Sequence, residues 1–160
     1  MKILVIIIGL LCLIGCNPTN SDIDKSWTSR INKSEIYEID IPEHINTRYE
    51  LQIYIEDSVV YKSDGVDNWQ TAQETWRLKT GDCEDFCILY INLLYSVTGE
   101  KASLIAVDKS TMQNTRTIVK GGIVNHMLVQ FENGDIYSPQ NGKYINATVG
   151  YKWSFEELFN

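Results

Sequence analysis

The chain is 160 residues long, 44% hydrophobic and 11% aromatic, which is enough apolar material for one packed domain and too much for a disordered chain. Its 14 basic residues against 21 acidic ones leave a net charge of −7. The basic face that a general nucleic-acid binder needs for counterion release is therefore missing, and no nucleic-acid partner is expected.

The chain opens with MKILVIIIGLLCLIGC. A basic Lys2, an apolar run over residues 3–14 and a small-residue end are the layout of a secretion signal. The run is short for a membrane span, since a helix rising about 1.5 Å per residue needs roughly 20 residues to cross the hydrocarbon. Leu13, Ile14, Gly15 and Cys16 resemble the lipobox of bacterial lipoproteins. That resemblance implies cleavage before Cys16, lipids on Cys16, and attachment to a membrane of the bacterial cell envelope, facing the periplasm or the exterior. The expected organisation is a signal peptide over residues 1–15, a lipid-anchored cysteine with a polar tether over residues 16–26, and one domain over residues 27–160. Cys12 leaves with the signal and Cys16 becomes the anchor, so Cys83 and Cys87 alone remain in the domain. Four apart on a helix, their Cβ atoms stand farther apart than the ~3.8 Å of a relaxed disulfide, and free thiols are expected.

Residues 27–61 carry mixed signals; LQIYIEDSVVY, residues 51–61, suits a strand by its β-branched content and a helix by its length. Asp64 and Gly65 mark a turn. DNWQTAQETWRLKTG then reads as a short helix, with Asn68 as N-cap and Trp69, Ala72 and Trp76 at helical spacing. The next segment, CEDFCILYINLLYSV, residues 83–97, is apolar nearly all round after an acidic first turn. It predicts a buried helix with Asp82 as N-cap and Gly99 as C-cap. Short β-branched runs follow at residues 102–107, 115–131 and 135–139, and Asn133 with Gly134 signals a hairpin between the last two. Helices first and strands after them predict an α+β fold with an antiparallel sheet packed on the central helix.

Within GDCEDF, Cys83 stands among Asp82, Glu84 and Asp85. Three carboxylates should hold a thiol's proton on, whereas a helix N-terminus and a nearby imidazolium lower a thiol pKa from about 8.5 to below neutrality. Two histidines are available. His44, beside Pro42, reads as a surface or structural residue, and His126 lies in a stretch otherwise suited to a core.

Taken together, NWQTAQETWRLKTGDCEDF, a buried helix and NHMLVQFENGDIYSP resemble the transglutaminase-like superfamily, specifically the bacterial transglutaminase-like cysteine peptidases, over residues 67–142. The resemblance implies a papain-like core in which Cys83, at the N-terminus of the buried helix, is the nucleophile and His126 is its base and later general acid. Where the family has an aspartate before the proline, this chain has Ser138 before Pro139. With a two-residue loop at Asn133 and Gly134, His126 faces Asn141; with a three-residue loop that includes Glu132, it faces Gln140, with Ser138 one diagonal away. The motif favours the second register and Ser138 as third member. In one calcium-dependent group of these peptidases the acids flanking the nucleophile bind the ion, at positions matched here by Asp82 and Glu84. Calcium is thus a possible ligand but not a required cofactor, and helix capping is the plainer role of these acids. A catalytic zinc finds no third ligand beside Cys83 and His126. Cys87 reads as a small apolar core residue, and Trp69 and Trp76 as core anchors.

Two functions follow. One is a lipid-anchored thiol enzyme that cleaves or transfers the amide acyl group of a protein or peptide substrate. The other is a catalytically weak or inactive transglutaminase-like lipoprotein that binds a protein or cell-wall partner, a reading that Ser138 in place of the aspartate keeps open.

Overall fold

The computed structural model describes residues 35–63, 69–107 and 126–159. The expected signal and anchor (residues 1–15 and 16–26), the turn at Asp64 and Gly65, Asn68 and the strand signals at residues 115–125 lie outside them. Among the described residues no helix is long and apolar enough to cross a membrane.

The mixed segment turns out to be both of its alternatives. Helix α1 (Arg48–Ser58) starts where Thr47 and Glu50 form a capping box, and the buried Leu51 and Ile55, one turn apart, supply its inner face. The β-branched tail then runs extended as β1 (Val60–Tyr61). Helix α2 (Ala72–Leu78) begins later than expected, because Thr71 and Glu74 make a second capping box that puts the N-cap at Thr71 rather than Asn68. Lys79, in the left-handed conformation, ends it. Strand β2 (Thr80–Gly81) pairs in parallel with β1, Val60 with Thr80 and Tyr61 with Gly81.

Helix α3 (Cys83–Thr98) runs as expected from Asp82 as N-cap to Gly99 as C-cap, and every residue from Glu84 to Leu94 is buried. One polar member of that run, Asn92, is satisfied by the extended chain at Tyr37, whose N–H and carbonyl it bonds at 2.8 Å each. The strands β3 (Ala102–Val107), β4 (His126–Phe131), β5 (Ile136–Ser138), β6 (Lys143–Tyr144) and β7 (Val149–Trp153) form one antiparallel sheet, ordered β6-β5-β4-β3-β7. A short helix α4 (Phe155–Leu158) closes the described chain.

The alternation of side chains gives the sheet two apolar faces. Leu104, Ala106, Met127, Val129, Phe131, Tyr137 and Trp153 share one core with α3, while Ile105, Val107 and Leu128 form a second cluster. At roughly 1.5–3 kcal/mol for each large apolar side chain removed from water, the first core dominates the fold's stability. Arg48 links α1 to this unit, pairing with Glu100 and stacking on the Phe131 ring at 3.6 Å.

The β4–β5 turn settles the register. Phe131 accepts from Gly134 N–H and donates to Asp135 O, both at 3.0 Å, so the loop has three residues, Glu132, Asn133 and Gly134. Gly134 takes φ +90, which only glycine adopts cheaply. Val129 pairs with Tyr137 and Gln130 with Ile136. The two-residue loop that would set His126 opposite Asn141 does not form.

Candidate active site

Cys83 is the first residue of α3, and the helix start is built by acids. Asp85, 1% exposed, accepts the Asp82 N–H at 3.2 Å and the Gln70 N–H at 2.7 Å. It thereby ties the segment before α2 to the first turn of α3. Gly81 is required by the same closeness: a Cβ there would stand 2.6 Å from the Asp85 Cβ and 3.1 Å from Thr75 Cγ2. Asp82, Asp85 and Gly81 are thus explained as the frame that presents the thiol.

Glu84 is not part of that frame. Its side chain is buried and accepts the Cys83 thiol proton at 3.2 Å. Burial, then the Glu84 charge, push the thiol pKa up to about 12. A main-chain donor, the Met127 N–H, pulls the other way.

That donor is free for sulfur because β5 stops short of it. In an antiparallel pair every second residue exchanges hydrogen bonds with its partner. Phe131 with Asp135 is such a position, so Val129 with Tyr137 and Met127 with Pro139 are the next two. The strand β5 ends at Ser138, so the β4–β5 ladder does not extend to Met127. The Met127 N–H therefore points past the end of β5, and the Cys83 thiol takes it.

His126 precedes Met127 as the first residue of β4, paired with Val107 and 9% exposed. Cys83 and His126 thus converge on one end of the sheet, the sulfur at the main chain next to the histidine. Alternation assigns His126 to the face of Leu128, while Met127 faces α3. Ser138, 1% exposed, continues the register opposite Leu128 and stands one diagonal from His126. Its Oγ finds no hydrogen-bond partner among the described residues, and neither does Gln140 Nε2. Asn141 is exposed, and its N–H donates to Ser138 O at 3.4 Å.

Other sequence expectations are met. Cys83 and Cys87 are free thiols, and Cys87 lies fully inside the core. Trp69 is buried edge-on to Trp153 with ring centroids 5.3 Å apart, and Trp76 packs on Tyr54 at 5.5 Å. His44 is exposed on the turn before α1. One rim residue went unread. Tyr61 pairs with Gly81 in β1, its ring centroid 6.2 Å from that of Phe86, one helical turn from Cys83. Burial, with the neighbouring Cys83, Asp82 and Glu84, raises its hydroxyl above the ordinary tyrosine range. No local sequence signal marks it, because its position depends on parallel pairing with residues 80 and 81.

Asp82, Cys83 and Glu84 bring one ligand atom each within 4.8 Å of one another. Calcium takes six to eight oxygens, and the carboxylates of Asp82 and Glu84 with a protonated thiol do not amount to such a shell among the described residues. The donor set does not fit a resident calcium ion.

The described residues therefore define an α+β protein that presents a thiol from the first turn of its central helix to the open end of an antiparallel sheet. No protein-family model matches the chain, and no curated protein does either.

Proposed function

We propose that the protein is a lipid-anchored thiol enzyme of the cell envelope, of the transglutaminase-like cysteine peptidase type, acting on an amide bond of a protein or peptide. The observation that supports this best is the Cys83 thiol at the helix start, bonded to the Met127 N–H one residue from His126. In the reaction His126 takes the thiol proton and the sulfur attacks the amide carbonyl carbon. The Met127 N–H holds the developing thiolate, and the Cys83 N–H, unsatisfied at a helix start, faces the oxyanion. His126 then gives its proton to the leaving amine. Water attacks the thioester, again losing a proton to His126, and a carboxylic acid departs as the thiol is restored. Two motions precede the first step: the imidazole reaches round the end of β4 to the sulfur, and Glu84 gives up its hydrogen bond. Ser138, or Gln140 opposite the histidine, orients the ring.

The same site supports a second reading, a binding module with an idle cysteine. Its specific support is the thiol held protonated by Glu84, together with Ser138 in place of an aspartate. Iodoacetamide labelling of Cys83 across pH separates the two. In the enzyme His126 draws the thiol proton, so His126→Ala moves the alkylation midpoint upward, toward the value that burial and Glu84 set on their own. A midpoint that His126→Ala leaves unchanged overturns the enzyme and leaves the binding module.

A further inference from the structure

Ser138 Oγ and Gln140 Nε2 are buried and find no hydrogen-bond partner among the described residues. Unpaired polar groups are costly to bury, so the turn that carries these two is held by contacts elsewhere. Part of the hold is internal. Ser138 pairs with Lys143, and Ser138 O accepts from Asn141 N–H at 3.4 Å and from Gly142 N–H at 3.0 Å. The rest comes from α1. Arg48 lies beside the Tyr144 hydroxyl. One helical turn further on, Gln52 sits against Gly142, where a Cβ would stand 2.7 Å from Gln52 Oε1 and 2.9 Å from Gln52 Cδ. Four residues of helix and two of strand both advance about 6–7 Å, so α1 meets this arm of the hairpin in step. Gln52 is an unusual member of the inner face of α1. Leu51 and Ile55 are apolar and fully buried, yet the Gln52 amide shares their face and is 4% exposed. Burying an amide costs more than burying an apolar side chain, and what its flat end covers is Gly142, whose φ of +62 favours glycine.

We propose that Gln52 is a positioning residue of the thiol site: its amide, seated on Gly142, fixes the turn of residues 139–142 and so holds Ser138 and Gln140 where they orient the His126 imidazole. The inference rests on the thiol-enzyme reading and extends its machinery to α1, a helix that carries none of the reacting groups. The route is short. Gln52 bears on Gly142, the Gly142 N–H holds Ser138 O, and Ser138 stands one diagonal from His126. A turn free to shift at Gly142 would let Ser138 and Gln140 drift, and the imidazole would lose its orientation toward the sulfur.

The test follows iodoacetamide labelling of Cys83 across pH in four proteins: the parent, Gln52→Ala, His126→Ala and the double variant. Gln52→Ala is expected to raise the midpoint by roughly half a pH unit, about a threefold loss of thiolate at a given pH, because a poorly oriented imidazole draws the proton less. In the His126→Ala protein the same substitution should leave the midpoint in place, since Gln52 acts through the imidazole. A merely structural role would move both, because burial, Glu84, Asp82 and Tyr61 surround the thiol in both proteins alike. Gly142→Ala reaches the same contact from the turn and should raise the midpoint too, which keeps the inference readable where Gln52→Ala fails to fold. A midpoint that neither substitution moves, or that moves equally with and without His126, overturns the positioning role. The enzyme still stands in that case if His126→Ala raises the midpoint of the parent. Should His126→Ala itself move nothing, the enzyme reading and this inference fall together.

Discussion

Glu84 accepts the Cys83 proton from a nearly buried position, in a helix turn where Asp82 and Asp85 already serve the cap. Its side chain therefore has a different consequence from theirs. Burial and the Glu84 charge both raise the thiol pKa, so Glu84→Gln removes the charge, keeps the shape and lets the pKa fall from about 12. The sign of the stability effect follows. A thiol with a folded pKa above its unfolded one keeps a proton that the unfolded chain releases, so its contribution is intact below the ordinary value of 9.0 and is lost as pH rises toward about 12. Glu84→Gln should narrow that window. Alkylation of Cys83 should shift its midpoint downward, and denaturation at high pH should show less loss of stability than in the parent. An unchanged midpoint would mean that burial alone holds the proton.

The junction of α2, β2 and α3 is fixed by contacts, not by propensity. Gly81 lies against Asp85 and Thr75 so closely that Gly81→Ala must push the helix start away. Overpacking of this kind costs roughly 1–3 kcal/mol, and urea denaturation should show it. Cys83 labelling should change as well, since the first turn of α3 carries the sulfur. Elements set by local signals were legible: the capped apolar run of α3, the strand β3, and the Asn133 and Gly134 hairpin. Residues 51–61 were not resolved, because the Thr47 and Glu50 box that starts α1 lies outside that window. Strand β7 and α4 went unread although Ser154 and Glu157 form a capping box that the sequence displays. Parallel pairing of β1 with β2 joins segments about twenty residues apart and leaves no local trace, so Tyr61 was invisible. In the site itself, Cys83 at a helix start was readable from its caps. Its approach to the end of β4 came only through a family resemblance, and the inward aim of Glu84 could not be read at all.

Across the whole molecule the excess of acids sets a diffuse negative field, and that field complicates any search for a cation site. A chain of net charge −7 is relieved by any salt, since counterions screen the repulsion among its carboxylates. A rise in melting temperature on adding calcium is therefore no evidence of a site unless sodium chloride at equal ionic strength fails to match it. The described residues bring two carboxylates to Cys83, too few oxygens for a calcium shell, and Glu84 is already engaged by the thiol. Calcium and ionic-strength-matched sodium should then give the same melting temperature, and a chelator should change neither that temperature nor the rate of Cys83 alkylation. A calcium-specific rise in both would show that the missing oxygens come from outside the described residues. It would also cancel the two carboxylate charges beside the sulfur, so the Cys83 pKa would fall and its alkylation would begin at lower pH.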